Sequence, residues 1–336
     1  MSKHLRIWLF ALLSTLLAST TLLAQGVITM TTSRAVGEEI GLSIKVNGNV
    51  TIEGAQETGK TDDYGRKSYR LTIQTITIRG DVTTLYCFDN ELTSLNVSQN
   101  TALTELDCNS NQLTSLDVSN NTALTELACI NNQLTSLNVS KNTALTKLVC
   151  INNQLTSLNV SKNTALTELN CNGNHLTSLN VSKNTALTYL DCNGNQLTSL
   201  DVSKNTALTK LWCHENQLTS LDMSKNTALT ELYCYDNQLT SLNVSNNTAL
   251  TYLYCYDNQL TSLNVSGCAR LTEIYCYRNR INGEAMTKLV NSLPNRKGES
   301  SGTLRVVSRS SKKSDKNRCS AADVATAQRK NWEVRQ

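Results

Sequence analysis

A chain of 336 residues is long enough for two or three globular domains, but one proline, two phenylalanines and a repeating stock of Leu, Thr, Ser and Asn are too narrow a palette for that. The charged fraction of 17% and regularly spaced leucines exclude disorder, while only 14 glycines among abundant Asn and Thr exclude collagen and coiled coil. The formal net charge of +4 is unevenly placed: residues 277–336 hold 14 Lys and Arg against 5 Asp and Glu, whereas residues 25–276 are net acidic at −7.

Residues 1–24 have the pattern of a secretory signal peptide. Lys3 and Arg6 give a positive start, Ile7 to Ala18 an apolar stretch, and Leu22-Leu23-Ala24 a small-residue end before Gln25. An uncleaved membrane anchor is the other reading. No cysteine near the cut could accept a lipid. After residue 25 no apolar run reaches the ~20 residues of a spanning helix. The chain is therefore expected to be secreted or on the outer cell surface, with no membrane span once the signal is removed.

Residues 25–81 read as an N-terminal β cap. Ile40, Leu42, Ile44 and Val46 alternate, Asn47-Gly48 reads as a turn, and Val50 and Ile52 alternate again, which predicts a hairpin. Leu71, Ile73, Ile76 and Ile78 then lead into Val82 and Leu85.

From Cys87 to Cys276, ten cysteines recur every 21 residues. Each sits in Leu-x-Cys-x-x-Asn-x-Leu-Thr-Ser-Leu-x-Val-Ser-x-Asn-Thr-Ala-Leu-Thr. Leu127 and Cys129 are two apart, so they share one face of a short strand, with Glu126, Ala128 and Ile130 on the other. Asn132 has a counterpart in every turn from Asn90 to Asn279. Its short amide suits the turn out of the strand, where successive copies would form a ladder. Leu134, Leu137 and Val139 return inward. A turn of 21 residues is too short to add a helix of ~11 residues, so the outer side is expected to be extended or 3₁₀-like. No turn can bury its apolar face alone, and stacking buries a continuous core. The expectation is a mainly β solenoid with a parallel concave sheet over residues 82–279.

Leu-x-x-Leu-x-Cys-x-x-Asn-x-Leu resembles the leucine-rich-repeat signature with cysteine at a strand leucine. A 21-residue period with one cysteine per strand is similar to the cysteine-ladder, internalin-J-like subclass of bacterial internalins. The resemblance covers Val82 to Asn279. It implies a curved solenoid, export, virulence-type adhesion and non-catalytic binding to protein or glycan on host or neighbouring cells. The chain departs from that family in lacking a Leu-Pro-x-Thr-Gly motif, its proline lying in Leu293-Pro294-Asn295, so covalent wall anchoring is not expected.

Residues 280–336 read as a C-terminal α/β cap. Met286, Leu289, Val290 and Leu293 have helical spacing within Gly283 to Leu293. Thr303 to Val307 predicts a strand, Ser320 with Asp323 a helix start, and Trp332-Glu333-Val334 a closing strand with Trp332 buried. The basic cluster Arg309, Lys312, Lys313, Lys316 and Arg318 has no interleaved aromatic, so it is read as a solvated loop, and no nucleic-acid partner is expected.

Twelve cysteines in an exported chain ordinarily mean disulfides. Here ladder cysteines share the core face and lie one strand spacing of ~4.8 Å apart, a poor match to disulfide geometry. A linear row also lacks the four convergent ligands of a zinc site. Buried free thiols are expected, with no metal and no cofactor. Cys268, at a repeat asparagine position, and Cys319, in the cap, stand outside the ladder. They are candidates for a bond tying cap to solenoid, with two free thiols as the alternative.

The residues flanking each ladder cysteine point outward. Nine of the eleven tyrosines fall on this face, most of them in the last four strands. Trp212, His214, Tyr233, Tyr235, Tyr252, Tyr254, Tyr256, Tyr275 and Tyr277 are the candidate ligand-binding residues, with an acidic border of Glu215, Asp236 and Asp257 and a basic corner at Arg278. Such a patch suits recognition of protein or sugar. Aromatic pairing that only stabilises the sheet competes with this reading, as does copying, since Tyr233–Leu239 recurs as Tyr254–Leu260. A smaller apolar patch of Ala128, Val149, Ile130 and Ile151 lies mid-face. His175 replaces the repeat's glutamine, and His214 lies beside Glu215 on the opposite strand face. No nucleophile converges with either, so catalysis is not expected and no catalytic residue is assigned. The functional expectation is an adhesion-type binding protein acting through the aromatic concave face. The alternative is a structural or self-associating matrix component.

Overall fold

The computed structural model describes residues 26–308 and 314–336. The expected signal peptide, and Arg309, Lys312 and Lys313 of the basic cluster, lie outside the described residues.

Six strands lead in: β1 (Val27–Thr32), β2 (Glu39–Glu53), β3 (Ala55–Thr61), β4 (Lys67–Leu71), β5 (Thr75–Tyr86) and β6 (Leu92–Asn96). Nine three-residue strands follow, one per repeat: β7 (Glu105–Asp107), β8 (Glu126–Ala128), β9 (Lys147–Val149), β10 (Glu168–Asn170), β11 (Tyr189–Asp191), β12 (Lys210–Trp212), β13 (Glu231–Tyr233), β14 (Tyr252–Tyr254) and β15 (Glu273–Tyr275). The C-terminal region adds α1 (Glu284–Ser292), β16 (Gly302–Arg305), α2 (Ala321–Arg329) and β17 (Trp332–Arg335).

One parallel sheet runs from β5 through β7 to β17, and from β5 to β15 each strand pairs with the next in 21-residue repeat register, as in Leu127 beside Leu148 and Leu169. Behind it the chain returns without helix, with isolated bridges such as Asp222 to Asn243 and Asn243 to Asn264 marking an extended outer side. Leucines and cysteines of successive turns fill the interior, with Cys129, Leu134, Val139 and Leu145 at 0% exposure. Each turn leaves its strand through a left-handed residue two positions after the cysteine, from Asp89 through Asn131 to Arg278, with Gly173 and Gly194 in two of them. At Gly173 a Cβ would stand 2.1 Å from Asn152 Oδ1, so a side chain there would have to displace the Asn152 amide, and glycine meets the left-handed φ without that shift.

The asparagine ladder forms. Asn153 Nδ2 donates to the carbonyls of Cys129 (2.9 Å), Cys150 (3.3 Å) and Ile151 (3.1 Å), and its Oδ1 accepts Leu134 N at 3.0 Å. A second row, not foreseen as a ladder, lies on the outer side. There Asn142 Nδ2 donates to Val118 O (2.9 Å) and Asn121 O (2.8 Å). A third is made by threonines, as where Thr146 Oγ1 donates to Thr125 O at 3.1 Å.

The N-terminal expectation needs correction. Residues 39–53 form one continuous strand, β2, with no hairpin at Asn47-Gly48. Asn47 pairs with Asp81 and Thr51 with Arg79, so the Asn-Gly segment is a bulge. The alternating residues on both sides of it pair along one long antiparallel partner, β5, and that continuous pairing outweighs the local turn preference. β2 closes the sheet's first edge, and β1 covers the start of the outer side by pairing with β6.

At the other end α1 and α2 pack together, Ser320 and Asp323 form a capping box, and Trp332 is 1% exposed. Of the two readings for Cys268 and Cys319, the structure has the free thiols rather than the candidate bond. Cys268 occupies the outer asparagine row, where its Sγ donates to Val244 O at 3.1 Å in place of an amide. Cys319 instead packs, partly buried, against the edge of the core. The basic segment is also less free than expected. Lys316 and Arg318 are exposed, but between them Asn317 is buried and its Nδ2 donates to Cys276 O (2.9 Å) and Val306 O (2.8 Å), adding one more rung. Among the described residues no helix is long and apolar enough to cross a membrane.

Burial holds the ladder thiols protonated, with Cys129 and Cys213 pushed up to about 12. A thiol reagent is expected to modify Cys319, half-buried, in the native chain and the remaining eleven only after denaturation; rapid labelling of further thiols in the folded protein would contradict the ladder. Asn153→Ala removes one acceptor and three donor contacts from a buried turn and is expected to cost about 3 kcal/mol in urea unfolding. Gln154→Ala, on the exposed side of the same turn, should cost under about 0.5 kcal/mol.

Candidate functional site

The repeat register brings eight of the nine candidate residues into two columns on the concave face. Trp212, Tyr233, Tyr254 and Tyr275 are direct cross-strand partners. Their rings stack at centroid distances of 5.3, 4.5 and 4.6 Å with interplanar angles of 13°, 8° and 9°. His214, Tyr235, Tyr256 and Tyr277 form the second column at 4.1, 4.3 and 4.5 Å. The spacing is the strand separation of the sheet itself. Tyr189 meets Trp212 edge-on at 5.2 Å and 87°, ending the first column. Tyr252 belongs to neither stack; it stands 37% exposed in the neighbouring column between Glu231 and Glu273.

This geometry turns the ring faces toward one another along the solenoid axis. The rings present their edges, and the tyrosines their hydroxyls, to the concave space. Each stacked pair contributes ~0.5–1.5 kcal/mol beyond its burial, so the columns also brace the sheet. Tyr254 OH donates to Glu273 Oε1 at 2.7 Å. Burial is the main cause raising the Tyr254 hydroxyl well above the usual phenol range, and it pushes Tyr233 up to about 12. All of these hydroxyls are neutral donors at ordinary pH. Trp212 Nε1 and His214 Nδ1, at the head of the columns, are buried and have no hydrogen-bond partner among the described residues. Burial lowers the imidazole of His214 to about 4, so it is neutral at pH 7.

Glu215, Asp236, Asp257 and Arg278 all occupy the left-handed turn position, with φ of 52°, 48°, 50° and 51°. Glycine or asparagine fills that position in the middle repeats. Aspartate adopts this region readily, whereas glutamate and arginine have no local preference for it, so Glu215 and Arg278 each hold it at a backbone cost of ~1 kcal/mol. Arg278 is not a free basic corner, since its Nη1 lies 3.0 Å from Asp257 Oδ2. Tyr277 is only 9% exposed because Arg305 covers its ring at 4.7 Å.

Arg305 and Arg335 were not legible as members of this face. β16 and β17 continue the sheet so that Tyr275, Arg305 and Arg335 stand in line, and the aromatic column ends in two cations. The sequence signals the strands but not their pairing. At the opposite end Arg66 of the cap lies over the ring of Phe88 at 3.8 Å, and Tyr64 meets Phe88 edge-on at 5.2 Å. The mid-face patch forms a separate depression between Tyr86 and Tyr189, over Ala128 and Val149.

No family model matches the chain, and no curated protein matches it. Among solved structures it is similar to the functional domain of InlJ from Listeria monocytogenes, described as including a cysteine ladder, with 38% identity, 71% of this chain and 52% of that chain covered, and a TM-score of 0.63. The chain belongs to the internalin-type leucine-rich-repeat proteins with a cysteine ladder. It spans about half the length of that relative. The leucine-rich effector YopM from Yersinia pestis is similar in fold alone, at 22% identity over 70% of this chain and 61% of that one, with a TM-score of 0.54. As in other leucine-rich-repeat solenoids, the strands form one continuous face, and here its last repeats carry the aromatic columns.

The lowered imidazole has a consequence for stability. The unfolded chain binds a proton at His214 with a pKa of 6.5 while the folded chain does so only at about 4. The stabilising difference is therefore complete above pH 6.5 and is lost as pH falls toward 4. His214→Tyr, which copies Tyr235 of the next repeat, is expected to lose less thermal stability than the parent between pH 7 and pH 4.5. Equal losses in paired melting curves would place the imidazole in water.

Proposed function

We propose that the chain is a secreted or cell-surface adhesion protein that docks a folded protein of a host or neighbouring cell on the concave face from Trp212 to Tyr277. The observation that carries this reading is the pair of edge-on aromatic columns. Eight aromatic side chains are held rigid by stacking, so ordering them on binding costs little further entropy. Each offers an apolar edge, and the tyrosines add a hydroxyl donor, a combination enriched where proteins meet. The charged border at Glu215, Asp236 and Arg278, kept in left-handed backbone, supplies a polar rim.

The same geometry favours protein over glycan. A sugar ring stacks its C–H face on an open aromatic face, and here the ring faces are taken up by their neighbours and by Arg305. Export is supported by the signal-like residues 1–24. A second reading, a self-associating matrix component, is favoured by the −7 body and the +9 C-terminal region. It predicts salt-dependent oligomers without attachment to cells.

Trp212→Ala combined with Tyr254→Ala is expected to weaken attachment of the mature chain to cells, and to its partner on a protein array, about tenfold or more, with the circular dichroism spectrum unchanged. Undiminished attachment by the folded double variant would falsify the aromatic site. Selective capture on a glycan array would overturn the choice of partner.

A further inference from the structure

The aromatic repeats project outward, but the four strands β7 to β10 do the reverse. At the positions held by Trp212 and Tyr233 further along, β8 and β9 carry Ala128 and Val149, and the positions after their cysteines carry Ile130 and Ile151. These short side chains leave a hollow of ≈ 440 Å³, walled by Tyr86 at one end and Tyr189 at the other. That size lies within the ~300–1,000 Å³ typical of ligand sites, and its floor is apolar.

The rim has the opposite character. Glu105, Asp107, Glu126 and Glu168 stand around the hollow against one cation, Lys147, which is paired with Glu168 at 3.2 Å. Tyr86 OH donates to Glu105 Oε2 at 2.7 Å, fixing that carboxylate at the wall. Glu126 is exposed and makes no ion pair among the described residues. The Asp107 carboxyl is mostly desolvated, with its pKa raised mainly by burial, and gains from any cation brought beside it.

We infer that this hollow is a second docking site on the concave face, which receives a protruding segment of a protein partner carrying an arginine or lysine next to an aliphatic residue. A long cationic side chain lays its methylene stem on apolar surface while its head reaches charge, and the floor of Ala128 and Val149 beneath four carboxylates matches both halves of it. A neutral apolar tip would leave the carboxylates desolvated without compensation, and an acidic one would be repelled. The net acidity of residues 25–276 draws the same class of partner. The inference rests on the reading of the concave face as a binding surface, but uses none of the aromatic columns.

The test is selection of a phage-displayed random dodecapeptide library on the immobilised full chain, followed by rebinding of the enriched peptides to three variants. Ala128→Trp fills the hollow with the residue that the same strand position holds at Trp212, so the fold accepts it. Glu126→Lys reverses one rim charge, and Trp212→Ala with Tyr254→Ala breaks the first aromatic column at two of its four rings. Enriched peptides are expected to carry arginine or lysine beside an aliphatic residue. They should bind about tenfold or more weakly to Ala128→Trp and to Glu126→Lys, and undiminished to the aromatic double variant. A library that yields no binder, binders without a basic excess, or binders indifferent to Ala128→Trp would overturn the site. Peptides lost on the aromatic double variant alone sink the hollow and leave the aromatic reading standing. Peptides that map to the hollow while cells still hold the aromatic double variant sink only the latter.

Discussion

The carbonyl of each ladder cysteine stands at the point where the chain leaves its strand, and among the described residues no backbone amide donates to it. In this protein one asparagine per turn supplies that partner, donating to its own cysteine carbonyl and to that of the preceding turn while accepting the amide of a leucine one turn back. Orphaned buried polar groups cost ~1–3 kcal/mol each, so making this bond in every turn removes a cost that would otherwise recur along the whole stack. Its geometry also sets the repeat. An amide that must reach two turns at once permits no slip of register, and the perfect alignment of Leu127, Leu148 and Leu169 follows from it.

Both unusual features of the molecule derive from that registration. Cysteines stacked at strand spacing inside a leucine core are small apolar groups that exclude water, and burial keeps their thiols protonated and inert. On the opposite face the same spacing brings identical positions of successive turns to ~4.8 Å, close to the separation at which aromatic rings stack. A tyrosine copied from turn to turn therefore becomes a rigid column without further design. Where the copied residue is short, as at Ala128 and Val149, the same rule produces a depression. The relief of the concave face is a direct print of side-chain size along one column.

The two ends are solved differently. At the first edge an antiparallel strand, β2, pairs with β5 across a bulge. At the last edge the C-terminal region imitates a repeat: Asn317 takes the next asparagine rung and β16 the next strand, although neither belongs to the 21-residue pattern. Cys268 shows how far the ladders tolerate substitution. A thiol donates to Val244 O where an amide otherwise would, and it does so without leaving a buried amide oxygen that lacks a donor, as the outer-row asparagines do.

Periodicity alone determined the inside and the outside of this protein, because in a stack of identical turns the facing of Leu127, Cys129 and Asn132 repeats for every copy. It also determined which residues look out from the sheet, including Trp212, His214 and the tyrosines. What it could not decide was anything that depends on contact between dissimilar segments. The continuous run of β2 through Asn47-Gly48, the free thiol of Cys268 and the arrival of Arg305 beside Tyr277 all follow from pairing across long sequence separations, where local preference carries little information. The tertiary structure also decided how the outward residues stand. Strand spacing closes the aromatic ring faces on one another, and the turn geometry ties Arg278 to Asp257. The hollow lies where two short side chains meet between two tyrosines, a matter of volume that only the assembled sheet reveals.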